Sequence, residues 1–401
     1  MAETTLAGQA AAVVRDGLCS GCGACVQLGT GLGMALVDGF SRPLPIAGAP
    51  ASAASPHFDR VCPGRTVVGP RPAGSRSHPT MGPVVTAVQG WATDAELRHR
   101  GSSGGVLSAL TAWLVESGRA RSVVGAAADP ATPTRTVTVQ ITSRQEALAA
   151  AGSRYGPVSN AAAALVGQAD TVFIGKPCEV DGVRALAEVQ AKAAPLLLSF
   201  FCAGTPNQAA TDALVAELAG QARPTAMWYR GRGWPGRFTV VTAEGGEVGL
   251  GYDESWGRVL GRATQWRCKL CPDGVGDSAD LVAADFWQTD ERGYPSFAEG
   301  DGVSAILART RRGAEVLAEA VAAGVLETQA LDVDALAAVQ PFQVTRRSTL
   351  WGRLLGTRLA GRPVPRYRGF ALWRHALRAP LAQVRTARGS FSRARAGGGR
   401  G

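Results

Sequence analysis

The stretch TVFIGKPCEVDGVRALAEVQAKAAPLLLSFFC, residues 171–202, indicates the fold class. Its two apolar segments, residues 171–174 and 195–201, have the length and composition of buried strands. The residues between them, 180–191, repeat apolar side chains with helical spacing. A strand, a helix and a second strand in this order predict a βαβ unit, and therefore an α/β core.

The same alternation extends over residues 83–335. Further strands are predicted at 122–127, 136–141, 238–242, 281–286 and 303–308, and further helices at 106–117, 144–151, 207–218 and 313–323. Residues 1–82 are rich in Gly, Ala, Pro and Ser, and we expect little regular structure there beyond a short helix before Arg15. We therefore predict three parts, α/β in the core and α+β overall: a ferredoxin-like unit (1–82), a mixed α/β domain (83–335) and a basic helical tail (336–401).

Cysteine spacing supports the first of these parts. Cys19-Ser-Gly-Cys22-Gly-Ala-Cys25 is a C-x2-C-x2-C motif, and Cys62-Pro63 follows at a distance. A tight turn can place three such thiolates on one concave side, and glycines between them let backbone amides approach the sulfur atoms. Bacterial ferredoxins use the same parts, so we predict one [4Fe–4S] cluster here. A structural zinc site is the alternative, although zinc prefers paired C-x2-C knuckles.

Four more cysteines form a second predicted set, namely Cys178, Cys202, Cys268 and Cys271. Cys178 and Cys202 follow the two strands quoted above, and neighbouring parallel strands end at the same sheet edge. Cys268-Lys-Leu-Cys271 is a knuckle that can supply two more ligands, so we predict a second [4Fe–4S] cluster. Zinc competes more strongly here than at the first set. Either strand cysteine could instead be a packing residue or a reactive thiol near a cofactor.

A glycine-rich loop precedes the helix predicted at 106–117. Arg100-Gly101-Ser102-Ser103-Gly104-Gly105 offers amides, hydroxyls and one guanidinium at a helix start, where the helix dipole favours a phosphate. The loop has neither the Walker A pattern nor the spacing of a dinucleotide-binding glycine motif. An ordinary helix cap explains the loop equally well.

The formal net charge of +10 is unevenly distributed. From Arg346 to Arg400 there are 14 arginines and no acid, so the rest of the chain carries −4 (10 − 14). Four apolar residues in this tail are predicted to lie near one side of a helix that Pro380 interrupts, namely Phe370, Leu372, Trp373 and Leu377. We predict that the tail docks on a partner subunit or an anionic membrane surface, with packing onto the body as the alternative. Few aromatic residues alternate with the bases, which argues against nucleic acid as a partner.

The chain has no uncharged run of 18 apolar residues, and its first residues include Glu3 but no basic segment. We therefore expect neither a spanning helix nor a secretory signal, and predict a cytoplasmic protein that could attach to a membrane peripherally. In that compartment eight cysteines are expected to be ligands or redox groups rather than disulfides.

Several motifs, taken in order, resemble the beta subunit family of coenzyme F420-dependent hydrogenase and dehydrogenase. The resemblance runs from about Cys19 to about Gly324. It is carried by the first cysteine set, Ser102-Ser-Gly-Gly105, Ser153-Arg-Tyr-Gly-Pro157, Gly175-Lys-Pro-Cys178, Phe201-Cys-Ala-Gly204, Tyr229-Arg-Gly-Arg-Gly-Trp-Pro-Gly236, Arg267-Cys-Lys-Leu-Cys-Pro-Asp273 and Asp280-Leu-Val-Ala-Ala-Asp-Phe-Trp287.

The resemblance implies FAD or a similar flavin at the Ser-Ser-Gly-Gly helix start, with iron–sulfur clusters on the cysteines. It also implies exchange of hydride or electrons with a carrier, which is coenzyme F420 in archaeal members. Tyr155 and Asp285 are candidate cofactor contacts, with core packing and turn capping as their alternatives. Lys176 and Ala284 depart from the family's pattern, at positions that bear on the flavin or deazaflavin.

These observations predict an iron–sulfur flavoprotein oxidoreductase. It would pass electrons or hydride between a low-potential carrier (F420 or ferredoxin), FAD and an unidentified substrate. Two other classes remain open. One is a non-catalytic electron-relay subunit of a larger complex, which is compatible with a chain that has only four histidines and therefore few candidate acid–base residues. The other is a zinc-stabilised binding protein.

Overall fold

The computed structural model describes residues 4–287 and 299–396. In these ranges the strands are β1 (Leu32–Val37), β2 (Phe40–Pro45), β3 (Thr66–Val68), β4 (Arg76–His78), β5 (Gly82–Val84), β6 (Thr86–Ala92), β7 (Ser122–Ala128), β8 (Thr136–Ile141), β9 (Thr171–Gly175), β10 (Leu196–Phe200), β11 (Pro224–Trp228), β12 (Phe238–Thr242), β13 (Glu247–Leu250), β14 (Leu281–Asp285), β15 (Ser304–Ala308), β16 (Leu326–Ala330) and β17 (Arg366–Arg368). The α-helices are α1 (Leu6–Arg15), α2 (Phe58–Val61), α3 (Ala95–Arg100), α4 (Val106–Glu116), α5 (Arg144–Ala149), α6 (Pro177–Val189), α7 (Gln208–Ala219), α8 (Trp266–Lys269), α9 (Arg311–Ala322), α10 (Val333–Ala338), α11 (Pro341–Ser348), α12 (Leu350–Leu359), α13 (Leu372–Arg378) and α14 (Pro380–Arg395). Every strand and helix predicted between 83 and 335 is present, with ends within three residues of the prediction.

The largest sheet in the described residues has eight strands in the order β16-β6-β15-β14-β10-β9-β7-β8. Strands β14, β10, β9 and β7 run parallel, whereas β8 and β15 pair antiparallel with their neighbours. Helix α6 connects β9 to β10, as the quoted stretch predicted. The predicted mixed α/β fold is therefore confirmed.

Successive residues of the parallel strands face opposite layers. Val123 and Leu198 pack against the layer that contains α4, α5 and α9. Phe173 and Leu197 pack against α6 and the loop of the first cysteine set. Burial on both faces explains why these strands are continuous apolar runs rather than alternating ones.

The N-terminal part contains a β-hairpin that the sequence analysis missed. Strands β1 and β2 pair antiparallel and are joined by Asp38 and Gly39, whose φ angles are 49° and 77°. An Asp-Gly pair with two positive φ angles is the favoured two-residue hairpin turn, so the signal was present in the sequence. The expectation of little regular structure beyond the first helix was wrong. The helix itself is α1, whose first turn is capped by the Thr5 hydroxyl, which accepts a hydrogen bond from the Gly8 amide at 3.0 Å.

The segment after residue 336 is helical, as predicted, and packs against the body. Strand β17 pairs in parallel with β3 of the N-terminal part. Helices α12 and α14 approach closely at two glycines of α12. A Cβ on Gly352 would lie only 2.5 Å from the carbonyl oxygen of Gln383, and one on Gly356 only 2.1 Å from that of Ala387. Pro380 does not interrupt a helix but begins α14. None of the helices within the described residues is long and apolar enough to cross a membrane.

Candidate functional site

The predicted site residues collect at one edge of the central sheet, where its parallel strands end. Lys176 follows β9, Cys202 follows β10 by two residues, and Asp285 is the last residue of β14. Ser304 begins the antiparallel strand β15 and therefore lies at the same edge. Ligands of open α/β sheets bind at this edge, because the strands' carboxyl ends open into loops there.

The four thiols of the first cysteine set lie close together. Burial is the main cause that raises the pKa of Cys22, to about 11, and the neighbouring Cys19 adds to it. Burial likewise raises the pKa of Cys25, with further contributions from Cys22, Cys62 and Cys19. The Gly21 amide donates a hydrogen bond of 3.4 Å to the sulfur of Cys19. The set therefore converges as the C-x2-C-x2-C spacing predicted.

Glycines shape the loop of this first set. Gly21 and Gly23 have φ angles of +73° and +88°, which side chains rarely adopt. A Cβ on Gly21 would lie 2.7 Å from the carbonyl oxygen of Ser41, and one on Gly23 would lie 2.9 Å from Ala162. The loop can pack against the β1–β2 hairpin and the central domain only because both positions lack a side chain.

The second cysteine set gathers around the end of β10. Burial raises the pKa of Cys202 to about 12, and the neighbouring Cys268 and Cys271 contribute. The Thr205 amide donates a hydrogen bond of 3.4 Å to the sulfur of Cys268. Burial is the main cause that raises the pKa of Cys178, and Cys22 of the first set and Cys202 of the second each raise it further.

Cys178 also connects the second set to the first. Cys22 of the first set is close enough to raise the pKa of Cys178 more than Cys202 does. A Cβ on Gly182, one turn along α6, would lie 2.7 Å from the Cβ of Ala24 and 3.9 Å from the sulfur of Cys22. Cys178, in the first turn of α6, therefore lies close to the loop of the first cysteine set.

Arginines that the sequence analysis did not single out surround both sets. Arg267 is fully buried; burial alone would lower its pKa, but Tyr367 and the thiols of Cys271 and Cys178 outweigh this effect and raise it. Arg346 of α11 donates hydrogen bonds of 2.7 and 2.6 Å to the carbonyl oxygens of Cys202 and Ala203. The sequence could have indicated a role for Arg267 near the second cysteine set, because Arg267 immediately precedes the Cys268–Cys271 knuckle. Nothing in the sequence distinguishes Arg346 from the other arginines, of which the chain has 39 in all.

The Ser-Ser-Gly-Gly loop is held against the sheet by its own donors. The Ser103 hydroxyl donates to the Val303 carbonyl oxygen at 2.6 Å, and the Gly104 amide donates to the Ser304 hydroxyl at 3.0 Å. A Cβ on Gly104 would lie 2.6 Å from the carbonyl oxygen of Gly90. Ser103 and Gly104 therefore build the loop. The donors that can still face a phosphate are the first-turn amides of α4 and the hydroxyl of Ser102.

A chain of contacts joins this loop to the other motifs. The hydroxyls of Ser102 and Ser153 lie 2.7 Å apart, and two hydroxyls that share one hydrogen bond leave one proton free to donate. The Ser153 amide donates to the Arg230 carbonyl oxygen at 3.1 Å. The Arg230 guanidinium in turn forms an ion pair with Asp285, with Nη1 and Oδ2 2.6 Å apart. Motifs separated by up to 183 residues (285 − 102) therefore meet at one place.

Arg230 lies in a cage of aromatic rings. Its Cζ is 4.8 Å from the ring centroid of Trp234, 5.2 Å from that of Tyr252 and 5.1 Å from that of Trp287. The side chain is only 3% exposed. Among the described residues, no hydrogen-bond acceptor contacts its Nη2 atom. A buried guanidinium with one orphaned donor is suited to an anionic or carbonyl group of a bound ligand.

Three other predicted cofactor residues take different positions. Tyr155 is partly buried, and its ring centroid lies 4.8 Å from that of Trp256 and 5.4 Å from that of Tyr229, beside the Arg230 cage. Lys176 is buried between Glu179 Oε1 (2.8 Å from its Nζ) and the Val158 carbonyl oxygen (2.9 Å), near Cys178. Arg100 is partly exposed and pairs with Glu96 at 3.2 Å. Lys176 is thus placed beside the second cysteine set, and Arg100 at the loop's outer side.

The donor set fits the groups that the sequence predicted. All eight cysteines, each within the described residues, are free, and several accept backbone N–H bonds as cluster ligands do. In the described ranges, no three His, Cys, Asp or Glu side chains are grouped to hold a single metal ion. The orphaned Nη2 of Arg230 and the one free proton of the Ser102–Ser153 hydroxyl pair suit a polar, phosphate-bearing cofactor.

Comparisons with known proteins identify the family of the chain. Two family models match: coenzyme F420 hydrogenase/dehydrogenase, beta subunit N-term, over residues 87–165, and the corresponding C terminus over residues 169–334. The chain is 26% identical over 291 residues to coenzyme F420 hydrogenase subunit beta of Methanococcus voltae, covering 70% of this chain and 97% of that relative. It is 26% identical over 268 residues to the subunit of the same name from Methanosarcina barkeri, covering 63% and 84%.

A solved structure shows the same fold. A chain of the F420-reducing [NiFe] hydrogenase complex from Methanosarcina barkeri superposes with a TM-score of 0.51 and 23% identity, covering 69% of this chain and 95% of that one. The family models begin at residue 87 and end at 334, so the first cysteine set and the basic tail lie outside the matched regions. The second cysteine set, the glycine-rich loop and the Arg230 cage lie inside them. The chain belongs to the coenzyme F420 hydrogenase/dehydrogenase beta subunit family.

Proposed function

We propose that the chain is an iron–sulfur flavoprotein oxidoreductase that carries two [4Fe–4S] clusters and FAD. The cysteine ligands are Cys19, Cys22, Cys25 and Cys62 for the first cluster, and Cys178, Cys202, Cys268 and Cys271 for the second. A bound flavin exchanges electrons in pairs and a cluster singly, so a protein that holds both converts between two-electron and one-electron transfer.

The observation that carries this proposal is the position of Cys178. Its thiol is close enough to both Cys22 and Cys202 for each to raise its pKa, which supports neighbouring cysteine sets at the sheet edge. Electron transfer between redox groups needs such proximity. Two structural zinc sites have no comparable need to be adjacent.

The residues around the loop would bind and orient the flavin. The first turn of α4 and the Ser102 hydroxyl are suited to its phosphates, because amides and a helix dipole favour an anion there. Arg230, fixed by Asp285, presents Nη2 to a polar group of the flavin or of its reaction partner. The rings of Trp234, Tyr252 and Trp287 surround Arg230 and would exclude water from that contact.

The carrier is proposed to be coenzyme F420 or ferredoxin, and the organic substrate is of unassigned class. A second candidate is an electron-relay subunit of a larger complex. It is favoured by the likeness to a chain from a hydrogenase complex and by the scarcity of histidines. Reduction of the isolated holoprotein by a carrier, followed by reoxidation by a small molecule alone, separates the enzyme from the relay subunit.

Cofactor analysis after anaerobic purification tests the proposal. We expect about eight irons, matching acid-labile sulfide and one flavin per chain. About four irons would assign a cluster to one set only, and zinc without sulfide would reject both clusters and favour a zinc-stabilised binding protein.

Three single substitutions assign the cysteines to the two clusters. Cys25→Ser is expected to halve the iron by loss of the first cluster, and Cys271→Ser to halve it by loss of the second. Cys178→Ser should then match Cys271→Ser in its remaining electron paramagnetic resonance signal. A match to Cys25→Ser would place Cys178 in the first cluster instead.

A further inference from the structure

The two last helices divide the apolar residues of the tail into a buried group and an exposed group. Phe370, which precedes α13, is buried against the body. Trp373 and Leu377 on α13 are 57% and 73% exposed, and Leu381 and Val384 on α14 are 80% and 55% exposed. Packing onto the body therefore accounts for Phe370 but not for the other four.

Helical geometry places each exposed group away from the buried face of its helix. On α14, Gln383, Ser390 and Ala394 are buried and recur at helical spacing, whereas Leu381 lies about 160° and Val384 about 100° around the axis from Gln383. On α13, His375 is buried, and Trp373 and Leu377 are each about 160° away around the axis (two residues at roughly 100° each). The exposed face is therefore a consequence of how the helices dock.

The docking of α14 leaves little freedom to hide this face. Gly352 and Gly356 of α12 approach the backbone of Gln383 and Ala387 within distances that no side chain would permit. The Gly352 amide also donates a hydrogen bond of 2.8 Å to the Gln383 side chain. Rotating Leu381 and Val384 inward would remove these contacts.

Arginines border the exposed apolar residues. Arg374 and Arg378 on α13 and Arg385 and Arg388 on α14 are exposed, and the segment from Arg346 onward contains no acid. Tryptophan, leucine and arginine together are typical of helices that lie in the headgroup region of a bilayer. A protein partner would need a large acidic surface with an apolar centre, whereas an anionic bilayer offers both everywhere.

We propose that α13 and α14 form a lipid-binding surface for anionic membranes. Trp373, Leu377, Leu381 and Val384 enter the interface, while the arginines contact phosphate headgroups. The helices lie on the membrane rather than span it, in keeping with the absence of a spanning helix among the described residues. The proposal does not depend on the cofactors.

The test is co-sedimentation of the full-length, cofactor-loaded protein with vesicles of phosphatidylglycerol and phosphatidylcholine, or of phosphatidylcholine alone, at low and high salt. We expect binding to the anionic vesicles only, weakened at least tenfold by high salt because attraction between surface charges is screened. The double variant Leu377→Glu/Leu381→Glu should lose more than about 90% of the binding. Arg385→Gln/Arg388→Gln should weaken it roughly 10- to 30-fold.

Matched controls are Leu44→Glu, an exposed apolar residue on β2, and Arg119→Gln/Arg223→Gln, two arginines outside the tail. Both should bind as the unaltered protein does. Equal binding to neutral vesicles, binding that survives in Leu377→Glu/Leu381→Glu, or no binding at low salt would each overturn the proposal. In the last case a protein would be the occupant of this face. Cluster and flavin absorbance of each variant verifies that it is folded.

Discussion

The side chain of Arg267 reaches from the second cysteine set to the first, because its Nη2 donates a hydrogen bond of 2.7 Å to the carbonyl oxygen of Pro63. Arg267 directly precedes Cys268, and Pro63 directly follows Cys62. The guanidinium is buried and interacts electrostatically with Cys271, Cys178 and Cys268, and its charge is also felt at Cys19. One cation therefore acts on both proposed clusters.

Replacing Arg267 should change the reduction potentials of both clusters. Loss of a buried positive charge disfavours the more negative reduced state, so Arg267→Gln is expected to lower both potentials by on the order of 50–100 mV. Arg267→Lys keeps the charge but not the planar fork, and should have a smaller effect. The measurement is a redox titration followed by electron paramagnetic resonance.

The matched control is Arg60→Gln on α2, whose side chain pairs with the exposed Glu188. It should leave both potentials within the error of the measurement. If Arg267→Gln lost its clusters altogether, Arg267→Lys would carry the comparison. A shift in one cluster only would contradict the bridging role.

Flavin binding is expected to depend on the Ser102 hydroxyl. Ser102→Ala removes one of the two paired hydroxyls without adding volume, so the affinity for FAD should fall about 3- to 10-fold, as expected for loss of one hydrogen bond. Equilibrium dialysis or fluorescence quenching of added FAD measures this. Ser117→Ala, at the other end of α4, removes a hydroxyl that bonds the Trp113 carbonyl oxygen and should change nothing.

Gly104→Glu should abolish flavin binding. The expected cause is a steric clash within the loop rather than repulsion between the new carboxylate and a flavin phosphate. Any side chain at this position meets the carbonyl oxygen of Gly90 and the Trp91 backbone, so the loop itself is displaced. Gly104→Ala is therefore expected to lose nearly as much flavin as Gly104→Glu. Full flavin content in Gly104→Glu would refute the placement of the flavin at this loop.

The ion pair of Arg230 and Asp285 should respond unequally to removal of either partner. Asp285→Ala leaves a buried guanidinium without a counter-charge and is expected to lower the free energy of unfolding by about 2–4 kcal/mol. Arg230→Met leaves a carboxylate that retains access to solvent, and should cost less. Urea denaturation at a fixed cofactor load compares the two. Asp170→Asn removes the partner of the exposed Arg121 and should cost at most about 1 kcal/mol.

Acidification should loosen α13 through His375. Burial is the main cause that lowers the pKa of His375, and Arg347 and Arg378 add to it, whereas the Pro79 backbone opposes it. The folded protein therefore favours the neutral imidazole of His375. The contribution of this preference to the free energy of unfolding is complete above the unfolded-state pKa of about 6.5, and it is lost as the pH falls from there through the lowered pKa of the folded state. Hydrogen exchange of the α13 amides should become faster at pH 5.5 than the intrinsic pH dependence of exchange explains. The change should be absent in His375→Gln and retained in the control His57→Gln.

Local patterns in the sequence were sufficient for six of the eight strands of the largest sheet in the described residues. The run at residues 171–202 predicted β9, α6 and β10, since a strand buried on both faces and an amphipathic helix each leave a local signature. Strand β6 was missed because it contains Gln89 and Gly90 and is held by β15 and β16, which lie more than 200 residues away. Its existence depends on pairing that no local window contains.

The sequence by itself determined the chemistry of the ligands: eight cysteines, grouped by spacing, and a donor-rich loop at a helix start. Only the tertiary structure decided which groups meet. It brought Cys178 near both Cys22 and Cys202, buried Arg230 and Arg267 with four other arginines of the described residues, and separated the buried Phe370 from the exposed Trp373. The physical reason is that spacing along the chain sets local geometry, whereas burial and proximity depend on how distant strands and helices pack.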